Sequence, residues 1–299
     1  MNPRLKAYLQ LCRPANLPTA AADVLAGTAI SGLFAVEGVF QMADIAVLPF
    51  LFLVMASVFL YAGGVVLNDV FDIEIDRVER PERPIPSGVV PLGKARSLGF
   101  VLLAVGIGLA FLVKITSGTI AIFLALAILS YDKFAKHHPI MGPLNMGICR
   151  GLNLLMGISI LGAFHYWPYV LLPIVFIFAV TMISRGEVHG RNKGNILLAG
   201  LLYGMVIAGV VFLHMFYAEG DLWYLLFLLT FALMVFRPLV RAYRDNTPAH
   251  IKNAVKSGVL SIVLLDASLA VAHANLLIGL LILLLLPLSI FLAKQFAVT

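Results

Sequence analysis

Long uninterrupted apolar runs constrain this chain more than any other feature. A bilayer's hydrocarbon core takes about 20 apolar residues per helix, and candidate stretches lie at 17–36, 46–67, 97–114, 117–131, 146–163, 166–184, 196–216, 221–239, 255–272 and 276–293. The weakest are 117–131, which is short, and 255–272, which contains Asp266, so the expectation is nine spans, or ten if both count. With 61% hydrophobic and 12% charged residues and a mean hydropathy of +1.00, the chain is outside the range of ordinary water-soluble domains. A membrane β-barrel would alternate apolar and polar residues in segments of about ten, and the runs of Leu, Ile, Val and Phe do not. The expected fold class is therefore all-α, an integral membrane protein forming one polytopic domain over 1–299. The first apolar stretch begins after Pro14 and is too long and continuous for a signal-peptide core, so it reads as a span and not a cleaved leader.

The net charge of +6 would suit a nucleic-acid partner if the basic residues formed a patch. Their positions argue otherwise. Arg4, Lys6, Arg13, Arg77, Arg80, Arg83, Lys94, Arg96, Lys133, Lys136, Arg185, Arg191, Lys193, Arg237, Arg241, Arg244, Lys252, Lys256 and Lys294 all fall on one side of the predicted spans. The other side holds Lys114, with Glu37, Asp44, Glu219 and Asp221. That asymmetry follows the positive-inside rule and predicts a cytoplasmic N-terminus. It leaves the lipid bilayer, not nucleic acid, as the partner of the surface. The polar chemistry is expected in the inner loops at 68–96, 131–145, 185–195 and 240–254. Cys12 and Cys149 lack the setting of a disulfide framework.

The stretch from Asn68 to Gly88, NDVFDIEIDRVERPERPIPSG, is the most specific in the sequence. If the second helix runs on through it, Asn68, Asp72 and Asp76 recur every four residues and stay within about 80° of one face. Carboxylates crowded in that way repel unless a cation lies among them. Hard oxygen ligands suit magnesium, which takes one or two carboxylates and completes its shell with water and phosphate. Arg77, Arg80 and Arg83 supply guanidinium groups that fit phosphate oxygens. The residues thus point to Mg2+ and a phosphorylated ligand at one face of the membrane.

This pattern, N-D-x-x-D-x-x-x-D followed by R-P-x-R-P-I-P-S-G, resembles the first aspartate-rich motif of the UbiA superfamily of intramembrane prenyltransferases. Arg13-Pro14-Ala15-Asn16-Leu17-Pro18-Thr19 and Tyr131-Asp132-Lys133 are similar to other features of that family. The resemblance implies about nine helices around a central cavity, capped by the inner loops, in which a prenyl diphosphate binds through Mg2+ and is transferred to an aromatic or otherwise lipophilic acceptor. It implies that Asn68, Asp72 and Asp76 hold the metal and diphosphate, with Asp69 nearby. It further implies that Lys133 and Arg83 neutralise the departing pyrophosphate, and that Tyr131 and Arg77 lie in the substrate site.

The second inner loop departs from the family's pattern. It reads Ser184-Arg185-Gly186-Glu187-Val188-His189-Gly190-Arg191-Asn192-Lys193-Gly194-Asn195, with Glu187 as its one carboxylate. Glu187, Asn192 and Asn195 offer oxygens for a weak second metal, and Arg185, Arg191 and Lys193 offer direct phosphate contacts in its place. His189 reads as a hydrogen-bonding loop residue. This loop and Cys149-Arg150-Gly151-Leu152-Asn153 resemble the EboC branch of the superfamily. Polar groups inside spans are expensive and functional by default, which singles out Asp23, Arg150, Asn153 and Asp266. Arg150 and Asn153 share a helix face and are expected to point at the cavity.

Two alternatives to a prenyltransferase compete. One is a lipid- or precursor-handling protein that keeps the diphosphate site without full chemistry. The other, a secondary transporter, would carry charges at mid-membrane depth, whereas most charges here lie at one interface. Nucleotide-binding loops, zinc-ligand spacings and Ser/His/Asp signatures are absent from the sequence.

Overall fold

The computed structural model describes residues 2–34, 47–162, 164–188, 190–218 and 222–296. Glu37, Asp44, His189, Glu219 and Asp221 lie outside the described residues. The helices are α1 Pro3–Leu11, α2 Leu17–Ile30, α3 Val47–Phe71, α4 Ile73–Glu79, α5 Leu92–Val113, α6 Ile115–Ser130, α7 Met141–Ile158, α8 Leu171–Ser184, α9 Lys193–Tyr217, α10 Tyr224–Arg244, α11 Pro248–His273, α12 Leu276–Leu283 and α13 Leu285–Phe296. No strand occurs among the described residues, as a chain that must satisfy its backbone within each lipid-crossing segment requires.

Among the described residues, eight helical segments are long and apolar enough to cross a bilayer. The other two predicted stretches, 17–36 and 146–163, fall on α2, of 14 residues, and α7, of 18. α7 is less apolar because Arg150, Asn153 and Asn145 lie within it. The short stretch 117–131 is lengthened by a π-helical turn, Tyr131–Ala135, so that helix runs over Ile115–Ala135. Several helices also run beyond their apolar stretches into polar sequence. The inner loop expected at 240–254 is thereby cut to 245–247, because α10 continues to Arg244 and Pro248 opens α11 under the Thr247 cap. Proline tolerates that first-turn position, where its missing N–H has no helical partner to lose.

Hydrogen bonds between distant segments identify the two faces. At one end Arg13 meets Asp69, Asn68 meets Asp132, Arg185 reaches the His138 carbonyl and the Asn192 N–H donates to Asn246. At the other, Lys114 Nζ donates to the Ile160 carbonyl and the Tyr166 ring packs edge-on to His273. The basic loops therefore gather at the end that carries the aspartate motif.

α11 is the most enclosed span, with 72% of its most apolar window buried against 22% for α5. It packs with α2, α8 and α10 around a core that includes Phe176, Tyr203, Phe231 and Ile262. A second core joins α3, α5 and α6 through Leu53, Leu60, Leu103 and Ala121. α2 and α7 cross where Gly27 meets Gly157, their backbones in contact as small residues allow between lipid-embedded helices. A Cβ on Gly27 would overlap the Leu154 carbonyl and stand 2.8 Å from Ile158 N and 2.9 Å from Gly157 Cα. Those neighbours are backbone and cannot swing aside. Gly27→Val is expected to destabilise the fold by about 1–3 kcal/mol or more, as overpacking does. A thermal-unfolding midpoint in detergent equal to that of the unmodified chain would refute this.

Candidate active site

The helices enclose a cavity of about 270 Å³. Apolar side chains form its walls, among them Val65, Leu124, Ile128, Ile177, Val180 and Val259. Arg13, Asn68, Tyr131 and Asp132 line it near the motif-bearing face. Ser57, Arg150, Asn153 and Thr19 also line it, and Ser57 lies eleven residues before Asn68 on α3, about 16 Å deeper at the rise of an α-helix. Tyr61, Tyr131 and Met146 are the lining aromatic and thioether groups available to a developing carbocation.

The helix expected to carry the motif does continue. α3 ends at Phe71 and α4 begins at Ile73, but the Asp72 N–H donates to the Asn68 carbonyl at 3.0 Å and the Asp76 N–H to the Asp72 carbonyl at 2.8 Å. The four-residue register of Asn68, Asp72 and Asp76 survives. Each of the three nevertheless has a different partner. Asn68 Nδ2 donates to Asp132 Oδ1 at 2.9 Å, Lys136 Nζ donates to Asp72, and Arg83 Nη1 donates to Asp76 at 2.7 Å. Asp69 is held by Arg13 at 2.6 Å and more distantly by Arg83 at 3.4 Å. Arg83 thus bridges two buried carboxylates and ties the loop after α4 to the end of α3. Arg77 instead points away, pairing with exposed Glu74.

Two residues that the sequence reading left out of the site are set there by backbone geometry. Arg13 adopts a left-handed conformation, φ 46°, immediately before the Pro14–Asn16 turn, and this turns its guanidinium toward Asp69. A non-glycine residue held there is strained, and such strain concentrates at functional sites. Asp132 lies in the π turn, where the Lys136 N–H bonds to the Tyr131 carbonyl five residues back. The wider turn carries extra residues per revolution. Tyr131 and Asp132 face the cavity, Lys136 reaches Asp72, and Lys133 lies exposed with its ammonium 5.0 Å from the Phe134 ring centre. The lysine in contact with the motif is therefore Lys136, not the expected Lys133. A rare π turn has no propensity signature, so the shift was not legible beforehand.

The loop after α8 stands apart from the cavity. Arg185 donates to the His138 carbonyl at 2.7 Å, and Arg191 is exposed in a left-handed conformation, φ 57°. Lys193 is exposed over the Tyr243 ring at 5.4 Å. Burial holds the Glu187 carboxyl above the usual carboxylate range, against the opposing charges of Lys252 and Arg80. The amides of Asn192 and Asn195 are engaged in building the loop: Asn192 Nδ2 donates to the Ile183 carbonyl, and Asn192 Oδ1 accepts from Asn195 Nδ2. Among the described residues, no set of three or more His, Cys, Asp or Glu side chains is gathered for a metal.

Deeper in the membrane, Arg150 donates to Asp23 Oδ2 and Thr19 Oγ1, each at 2.9 Å, and its guanidinium lies 6.0 Å from the Tyr61 ring centre. Asn153 donates to Asp23 and to the Ala20 carbonyl, each at 2.8 Å. Asp266, on α11, lies close enough to Asp23 and Arg150 to act on both electrostatically. Arg150 supplies the positive charge that a carboxylate buried in this low-dielectric interior requires. All four intramembrane polar residues named from the sequence come together here. Arg150 and Asn153 face the cavity as expected, and they also join α7 to α2. Cys12 and Cys149 are free thiols.

Comparison with known proteins places this arrangement. A digeranylgeranylglyceryl phosphate synthase of Methanosarcina mazei is 35% identical over 191 residues, covering 63% of this chain and 65% of that protein. The synthase of the same name from Methanocaldococcus jannaschii is 30% identical over 210 residues, covering 67% of this chain and 69% of that protein. The chain thus spans about two thirds of the length of these relatives. A solved structure described as concerning digeranylgeranylglyceryl phosphate synthase in membranes superposes with a TM-score of 0.69 at 23% identity, covering 90% of this chain and 98% of that one. A UbiA homologue from Archaeoglobus fulgidus, bound to DMAPP and Mg2+, superposes with a TM-score of 0.62 at 12% identity, covering 98% of this chain and all of that one. These likenesses below 25% identity establish a shared fold. The sequence pattern of the UbiA prenyltransferase family matches residues 24–185, more than half of the 299, and the chain belongs to that family.

Proposed function

We propose that this protein transfers a prenyl group from a prenyl diphosphate to a lipophilic acceptor within the membrane, with Mg2+ as cofactor. The observation that carries this reading is the cavity itself: an apolar chamber whose mouth bears Asn68 and Asp132, with Asp72, Lys136, Arg13 and Arg83 beside it. The donor set fits magnesium, since Asn68, Asp72 and Asp132 are hard oxygen ligands and one buried carboxylate oxygen, Asp132 Oδ2, has no hydrogen-bond partner. The relatives are named for a glyceryl phosphate product, so the acceptor is not restricted to the aromatic class. By the positive-inside rule the motif faces the cytoplasm. Placement in the EboC-like branch rests on Ser184–Gly190 and Cys149–Asn153 alone.

Breaking an allylic C–O bond leaves its electron pair on the diphosphate, so positive charge fixed at that oxygen lowers the barrier. Bound magnesium would supply part of that charge. Lys136, on a flexible stem, can turn from Asp72 to a phosphate oxygen, while Arg13 and Arg83 stay anchored by Asp69 and Asp76. The apolar walls exclude water from the allylic carbon and accommodate the prenyl tail, and the acceptor attacks that carbon.

The test is binding of a non-hydrolysable geranylgeranyl diphosphate analogue to the full chain in lipid nanodiscs, with and without magnesium. Magnesium-dependent binding is expected. Failure to bind this analogue and shorter and longer ones would refute the reading and favour a lipid-handling protein without transfer chemistry. That second reading draws on the distance of Arg185, Glu187, Arg191 and Lys193 from the cavity, since none of them lines it.

A further inference from the structure

A hard divalent cation needs open carboxylate or amide oxygens around one point, and the aspartate motif alone does not present them. Asp69 and Asp76 are 7% and 4% exposed and are clasped by Arg13 and Arg83. Removing either from its arginine would leave buried charges uncompensated, which costs several kcal/mol per pair. Of the predicted ligands, Asn68 and Asp72 remain, and Asp72 is paired with the ammonium of Lys136 and not with an arginine.

Asp132 meets the missing requirement. It is 3% exposed, yet it lines the cavity, and its Oδ2 has no hydrogen-bond partner among the described residues. Buried carboxylate oxygens are ordinarily satisfied, because leaving one bare costs the solvation it gave up. Its Oδ1 accepts from Asn68 Nδ2 at 2.9 Å, which settles the orientation of that amide and leaves Asn68 Oδ1 free to bind a cation. The π turn is what presents the Asp132 carboxyl to the cavity while bringing Lys136 onto Asp72. Asp132 and Asp72 are also near enough to act on each other electrostatically.

We propose that Asp132 is a metal ligand, binding a divalent cation together with Asn68 and Asp72 when a diphosphate enters the cavity. This rests on the function proposed above. In this arrangement Lys136 occupies Asp72 in place of the cation and moves to the diphosphate when the metal binds, so Asp72 has a cationic partner in both states. The loop after α8, with Glu187 among Arg80 and Lys252, is then dispensable for the metal. One carboxylate from the end of α3, one from the π turn and one amide suit magnesium's habit of using few protein ligands beside phosphate.

The experiment uses the full chain in nanodiscs with the geranylgeranyl diphosphate analogue present and reads free Mn2+ by electron paramagnetic resonance. Asp132→Asn keeps the side-chain volume and an oxygen for Asn68, and is expected to weaken Mn2+ binding at least tenfold. Asp132→Cys is expected to shift preference toward Cd2+ by tenfold or more relative to the unmodified chain, because a thiolate is a soft ligand. A merely structural aspartate would not produce that shift, and it decides the matter even if the Asn variant folds poorly. Mn2+ affinity within twofold of the unmodified chain in Asp132→Asn, or no gain of Cd2+ binding in Asp132→Cys, would overturn the assignment while leaving the diphosphate site intact. Absence of both Mn2+ and analogue binding in the unmodified chain would overturn the proposed function, and this assignment with it.

Discussion

Arg150→Leu is expected to destabilise the folded protein by about 3–5 kcal/mol, the cost of breaking a buried ion pair from one side. Asp23 is fully buried and keeps Asn153 as its neutral donor, but loses the only guanidinium bonded to it. Asp23 Oδ1 and Asp266 Oδ2 have no hydrogen-bond partner among the described residues. Without Arg150 the cluster is left with buried carboxyl groups and no positive charge bonded to them in the membrane interior. The same substitution also removes the bond to Thr19 and the guanidinium beside Tyr61, so α7 keeps only its Asn153 bonds to α2 and loses its contact with α3 there. The effect is specific to the broken pair. Adding Asp23→Leu and Asp266→Leu to Arg150→Leu should recover much of the stability, since well-packed apolar residues commonly replace a buried ionic cluster without loss. The readout is the thermal-unfolding midpoint in detergent. A single variant as stable as the unmodified chain, or a triple variant less stable than the single, would show that the cluster does not hold the helices together.

Asp72→Asn should weaken magnesium-dependent binding of the prenyl diphosphate analogue by an order of magnitude or more, about 1.4 kcal/mol per tenfold. Asp72 is the motif carboxylate not clasped by an arginine, and its partner is Lys136. The amide keeps a neutral oxygen but removes the charge that would hold a cation. Glu187→Gln is the contrasting case and is expected to change that affinity less than threefold. Glu187 does not line the cavity and is surrounded by Lys252 and Arg80. Equal affinities in Asp72→Asn and the unmodified chain would remove Asp72 from the site. Complete loss in Glu187→Gln would instead place the second loop at the centre of binding.

The limits of sequence reading are visible in the difference between Lys133 and Lys136. The motif Tyr131-Asp132-Lys133 marked the right turn, but residue spacing assumes a regular helix, and a single π turn redirects each side chain that follows. Arg13 went unassigned for a similar reason, because its role depends on a left-handed backbone before Pro14. The loops at 240–254 and 131–145 were drawn too long because hydropathy marks where lipid ends, whereas helical hydrogen bonding continues into polar residues. Asn192 and Asn195 offered oxygens on paper, but capping the end of α8 and closing the loop engages them.

By itself the sequence determined that this is a helical membrane protein, that its basic loops share one face, and that an aspartate-rich motif sits at the end of the second predicted span. Those properties depend on apolar length, charge position and a period of 3.6, all of which are local. The tertiary structure alone decided which carboxylates are tied up by arginines and which one opens into the cavity. It also joined Asp23, Arg150, Asn153 and Asp266, separated by up to 243 positions, into one buried cluster. Pairing across that separation depends on how helices pack, and in an all-apolar membrane interior the pattern of hydrophobic residues carries little information about which faces meet.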